Sequence, residues 1–350
     1  MERSILYTNP ESPHSESREG RFGTSFVDTI RRVRVFSYIC SVIVSASRRT
    51  DIPAFHTEWF LNRLRAGYCI VTHHTASGIY HRVPLTADAV DCIVFRSKNP
   101  APMLRRLDEL HDYDYLFNIT MNPYGREMES RVPRLTERIE TFRQLSRAIG
   151  SQRMIWRYDP VFLSPKYDLD FHRRAFEYLC RELHGWSYKC MIGFIVHHPF
   201  VARRIDPLSV KRRDTEDIRT VGQLFGEIAR RYGHRIETCA EANDLEEFGI
   251  GHGACVERQQ IEEIVGYRFG KVKESYLRPH CNCMESVDIG HYSTCDNGCL
   301  YCYATPERPD MRTDPASPSL DPLFDSRKID PERIIDLKAA SHRAAQMTLF

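Results

Sequence analysis

No apolar run in the 350-residue chain is long enough to span a membrane. The partly apolar stretch 33–47 contains Arg34 and is too short, so it reads as a buried strand with a lead-in. The first thirty residues are polar and charged, which argues against a secretory signal and predicts a cytoplasmic, reducing setting. Charge of one sign is also scarce. Lys and Arg number 49 against 47 Asp and Glu, and a net +2 gives no electrostatic case for nucleic acid. No glycine-rich cofactor motif follows the later strand candidates. Cysteine, in contrast, is plentiful. Twelve thiols in a reducing compartment point to metal binding or catalysis more than to a disulfide framework.

The hydrophobic share of 42% and charged share of 27% are those of a globular protein. Residues 1–41 are Ser-, Glu- and Arg-rich without periodicity, and are expected to be disordered or an extension outside the fold. Short apolar runs follow at Ile43–Ser47, Cys92–Lys98, Tyr115–Met121, Met154–Pro160, Cys190–Val196 and Ile236–Glu241, as buried parallel strands require. Amphipathic helices lie between them, with apolar residues three or four apart and a glycine stop at Gly67, Gly150, Gly185 or Gly233. Residues 68–85 read as an inserted hairpin. Ser286–Tyr292 offers a seventh strand. The alternation predicts an α/β fold, a full or partial TIM-like βα barrel over 42–303 with a Cys-rich segment at 239–303. Residues 304–350 read as a polar tail, weakly helical after Pro331.

In such a fold the chemistry sits at the C-terminal ends of strands. Those ends carry Arg48, Arg49 and Asp51; Lys98 and Asn99; Asn122; Arg157 and Asp159; His197 and His198; and Glu241. The cations suit a carboxylate or phosphate, and the carboxylates suit cation orientation or proton transfer. Adjacent histidines on a strand point to opposite faces, so only one of the pair can face the site. The alternative for each residue is a loop cap.

Seven cysteines crowd the C-terminal third. Cys40, Cys69, Cys92, Cys180 and Cys190 are scattered among apolar neighbours and read as core residues. Cys295, Cys299 and Cys302 are spaced C-x₃-C-x₂-C with Tyr301 before the last. Three thiolates in one loop can hold three irons of a [4Fe–4S] cube and leave the fourth open. Cys239, Cys255, Cys281 and Cys283 make a second set of four, the number that closes a zinc site or another cluster; His252, His280 or His291 could replace one thiolate.

The C-x₃-C-x-aromatic-C pattern resembles the signature of the radical S-adenosylmethionine enzymes. That resemblance implies a [4Fe–4S] cluster on Cys295, Cys299 and Cys302. It also implies S-adenosylmethionine on the open iron, cleaved by electron transfer to a 5′-deoxyadenosyl radical, and a partial α/β barrel. In those enzymes the motif follows the first strand, whereas here it follows the last candidate strand, so either the barrel is circularly permuted or the resemblance is local to the loop. Over Val42–Tyr303 the chain also resembles a bacterial family recorded as domain of unknown function 1848. Segments 45–53, 97–100, 156–160, 238–241, 253–255 and 283–290 carry that likeness, and the family brings no activity with it.

The C-terminal Gln346, Met347, Leu349 and Phe350 resemble the peptide that docks repair proteins on the bacterial sliding clamp, and hence imply a DNA-linked substrate. Arg203, Arg204, Lys211, Arg212 and Arg213 form a basic loop that suits a phosphate backbone or plain solvation. The leading expectation is an Fe–S enzyme. The alternatives are a non-catalytic zinc protein that binds nucleic acid or a partner, and a barrel acid–base enzyme with structural metal.

Overall fold

Eight strands form one parallel sheet, the element around which everything else is arranged. A computed structural model describes residues 42–72, 78–270, 278–306 and 308–337. In chain order the elements are β1 (Val42–Ala46), α1 (Ile52–Phe55), α2 (Thr57–Ala66), β2 (Tyr68–Thr72), β3 (Tyr80–Pro84), β4 (Val90–Ser97), α3 (Ala101–Leu104), β5 (Tyr115–Thr120) and α4 (Leu135–Ile149). Then come β6 (Met154–Val161), α5 (Leu169–Leu183), β7 (Lys189–Phe194), α6 (Pro199–Ile205), α7 (Thr215–Arg231), β8 (Ile236–Cys239), β9 (Gly251–Gly253), α8 (Arg258–Val265), β10 (Val287–Asp288) and β11 (Ile334–Asp336).

The sheet order is β10-β1-β4-β5-β6-β7-β8-β9. The six expected strands are β1 and β4 to β8, and the seventh is β10, trimmed to two residues. The α/β expectation holds, but barrel closure does not. Strands β9 and β10 are the two edges, and among the described residues no ladder joins them. They are three and two residues long, too short to offer each other a full set of hydrogen bonds.

The sheet has two unlike faces because successive side chains alternate. One face carries Val44, Phe95, Phe117, Trp156, Tyr158 and Ile192, packed with Phe60, Phe142, Phe176 and Phe225 from α2, α4, α5 and α7. Phe176 and Phe225 stack with centroids 4.0 Å apart. The other face carries Ile43, Val94, Leu116, Ile155 and Met191. It is covered by residues 254–256, Ile261, Phe269, Cys283 and Met284. At the N-terminal end of this inner face, buried Lys189 is paired with Glu237 (2.7 Å) and Glu257 (2.6 Å).

The inserted hairpin is β2 with β3, antiparallel. The segment expected as a free tail is attached to it. Strand β11 pairs in parallel with β3, where the sequence suggested weak helix, and Trp59 Nε1 donates to Ser317 O at 2.9 Å. The β-branched Ile334-Ile335 pair favours the extended form there. Residues 1–41 and the C-terminal peptide 346–350 lie outside the described residues. Among the described residues no helix is long and apolar enough to cross a membrane.

Candidate functional site

Strand β10 delivers Asp288 beside the end of β1, and this buried carboxylate organises the first rim cluster. It accepts from Ser47 Oγ (2.6 Å), Arg48 N (2.6 Å), Arg48 Nε (3.2 Å) and Arg49 Nε (3.0 Å). Burial alone would raise its pKa, but Arg49, Arg48 and these hydrogen bonds outweigh it and hold the carboxyl at about 2. Arg48 and Arg49, both expected at the site, are therefore gathered on one carboxylate. Gly290 permits the approach, because a Cβ there would run into Ser47.

Asp51 caps α1 by accepting from Ala54 N (3.1 Å). It also accepts from Lys98 N (2.8 Å) and Asn297 Nδ2 (2.9 Å). Desolvation raises its pKa despite those donors. Asp51 thus ties the end of β1, the end of β4 and the cysteine loop together, a positioning role. Asn99 joins this corner through its backbone, donating to Ser97 Oγ at 2.9 Å.

Beneath the cysteine loop lies Glu129, a buried carboxylate the sequence reading passed over. Lys98 Nζ donates to it at 2.9 Å, Arg138 stands 3.8 Å away, and Tyr301 donates its hydroxyl. Burial raises the Glu129 pKa, and Lys98 and Arg138 pull it below the ordinary value. Asn122 donates to the Tyr301 hydroxyl (3.0 Å) and to Asp159 O (2.9 Å). An isolated antiparallel bridge joins Glu129 to Cys299, and Arg131 N donates to Asn297 O at 3.2 Å. Gly298 sits at φ +67, and a Cβ there would meet Ser130.

The loop held this way presents Cys295, Cys299 and Cys302, and Cys302 N donates to Cys299 O at 3.1 Å. Asn297 Nδ2 donates to Cys295 Sγ (3.5 Å) and Ala304 N to Cys302 Sγ (3.3 Å). Burial pushes the Cys295 thiol up to about 12 and raises Cys299 as well. Buried thiols that resist ionising in isolation are those that a metal must deprotonate.

The second cysteine set also assembles, from three segments. Cys239 ends β8, Cys255 follows β9, and Cys281 and Cys283 precede β10. Cys239 Sγ lies 3.2 Å from Cys255 Sγ, and Cys283 Sγ accepts from Cys255 N at 3.3 Å. Arg157 Nη1 donates to Cys255 Sγ (2.6 Å) and Arg278 Nη2 to Cys239 Sγ (3.0 Å). Contact with Cys239 and Cys283 lowers the Cys255 pKa, and contact with Cys283 brings Cys281 to about 6. Arg157 also pairs with Asp159. Asn118 Nδ2 holds the Cys255 carbonyl at 3.2 Å. Among the described residues no three or more His, Cys, Asp or Glu side chains are placed so that they could hold a metal ion as they stand.

Other expected residues have local partners. Glu241 pairs with Arg213 and accepts from Asn243 N (3.0 Å), pinning a turn. His198 stacks on Phe200, centroids 5.9 Å apart, and His197 is held below its ordinary pKa by burial and Arg212. Of the expected basic loop, Arg203 and Arg204 lie on helix α6, and Arg204 donates to the carbonyls of Cys302 and Thr305, which supports the cysteine loop. Cys69, Cys92, Cys180 and Cys190 are fully buried core residues, as expected. Asp288, Glu129, Arg96 and Arg278 were not singled out from sequence. Arg96 carried the clearest signal, a cation two residues before Lys98 within a buried strand.

No curated protein and no solved structure matches the chain. The model of the family described as Domain of unknown function (DUF1848) matches residues 43–304, so the chain belongs to that family.

Proposed function

We propose that the protein is an iron–sulfur enzyme of radical S-adenosylmethionine type, with Cys295, Cys299 and Cys302 as the ligands of a [4Fe–4S] cluster. One observation carries this reading. The cysteine loop follows β10, and β10 lies beside β1 at the edge of the sheet. Along the chain the loop follows β10, the last strand of the eight-stranded sheet in chain order, yet β10 is the first strand in the order of the sheet. A circularly permuted partial barrel has this arrangement. The donor set is consistent with a cube, which places each thiolate on a different iron, so the three sulfurs need not converge on one point.

The bound cluster and cofactor would supply one-electron chemistry. The chain's own residues hold the loop and the substrate. Asp51, Asn297, Glu129, Lys98 and Tyr301 fix the loop against the ends of β1, β4 and β5. The substrate lies over the inner face near Arg48, Arg49 and Arg157, whose guanidinium groups favour an anionic partner. A DNA-linked substrate is the version that the C-terminal peptide would serve.

Anaerobically purified protein, reduced with dithionite, is expected to convert S-adenosylmethionine to 5′-deoxyadenosine and methionine. Liquid chromatography with mass detection reads both products. The C295A/C299A/C302A variant is expected to form neither. A colourless wild-type protein that carries only zinc, and forms neither product, would favour the zinc-protein alternative.

A further inference from the structure

We infer that Cys239, Cys255, Cys281 and Cys283 form a second soft-metal centre, a zinc or iron–sulfur site on four thiolates, separate from the loop cluster. Three segments far apart in sequence bring these cysteines together. Cys255 touches both Cys239 and Cys283, and Cys283 touches Cys281. The sulfurs therefore form a row, and metal binding closes its two ends, Cys239 and Cys281, on one centre.

Charge provides a second, independent observation. Arg157, Arg278 and Arg96 all act on Cys255. Against them stands one nearby carboxylate, Asp159, which pairs with Arg157. The ion pairs among the described residues include none for Arg96 or Arg278; Arg96 donates to neutral Ser45 Oγ (2.8 Å) and Arg278 to the Cys239 sulfur (3.0 Å). Arg278 is exposed and Arg157 has Asp159, so among the described residues the partly buried Arg96 is the cation here that lacks a carboxylate partner, and negative charge on the sulfurs would stabilise it. Four thiolates around a divalent zinc carry two negative charges, and so does a four-thiolate cluster with a dipositive core. Either centre places negative charge beside Arg157 and Arg96. A disulfide would supply none.

The site does not depend on the loop cluster, and the test separates them. The C295A/C299A/C302A variant, purified anaerobically and checked for native circular dichroism, is analysed for zinc, iron and acid-labile sulfide. The expected result is retained metal: zinc near one per chain without sulfide, or iron with matching sulfide. Adding C255S and C283S should remove it. The intact protein gives a second readout. Iodoacetamide should leave the four cysteines unmodified until a chelator is added. A metal-free triple variant whose four thiols react at once, or a Cys239–Cys255 disulfide in the native protein, would overturn the assignment.

Discussion

Two groups of cysteines differ in how they are built. Cys295, Cys299 and Cys302 come from eight consecutive residues. Cys239, Cys255, Cys281 and Cys283 are drawn from three segments and meet only because β8, β9 and the approach to β10 are placed by the sheet. The first group is shaped locally and then fastened down by Asp51 and Glu129. The second depends on the register of the sheet and on the arginines of its inner face. Loosening the loop should therefore leave the second group in place.

The largest effect expected from a single change is at Glu129. Glu129→Ala leaves Lys98 and Arg138 without their buried partner, and should cost about 3–5 kcal/mol in urea unfolding. It should also free the cysteine loop while the second group keeps its metal. Loss of metal from both groups together would break the comparison.

Asp288 should have a smaller effect, visible as pH dependence. Its carboxyl is held at about 2, against 3.8 unperturbed. A depressed carboxylate contributes stability above its unfolded pKa, and that contribution is lost as pH falls through the folded value. The wild type should therefore lose about 2 kcal/mol between roughly pH 4 and pH 2 through this group. Asp288→Asn should show a correspondingly flatter profile there and a lower stability at neutral pH.

The smallest effect belongs to Gly298. Its left-handed φ and the nearness of Ser130 make Gly298→Ala costly by about 1 kcal/mol. Urea unfolding should detect the change, and amide exchange should rise in the 295–302 loop but not around Cys255.

Most of the sheet and the membership of both cysteine groups were legible in the sequence. Seven strands and four helices were legible because parallel strands buried on both faces read as apolar runs and helices ended at glycine. Strand β9 was not, since Gly251-His252-Gly253 has no apolar pattern. The attachment of residues 317–336 to the hairpin rests on backbone bonds and a Trp59 contact, which leave no periodic trace. Openness of the sheet was hidden because closure depends on edge length and not on composition. At the site, Arg48, Arg49, Lys98 and Arg157 were found from strand ends. Asp288 and Glu129, the buried partners of Arg48, Arg49 and Lys98, were missed because each acts through long-range pairing that no local spacing encodes.

Electron paramagnetic resonance of the anaerobically reduced protein, with and without S-adenosylmethionine, is the decisive measurement for a cluster on Cys295, Cys299 and Cys302. A reduced-cluster signal that changes when the cofactor is added is expected. That change should vanish in the C295A/C299A/C302A variant. A cluster signal unaltered by the cofactor, or no cluster at all after reconstitution with iron and sulfide, would contradict the proposed function.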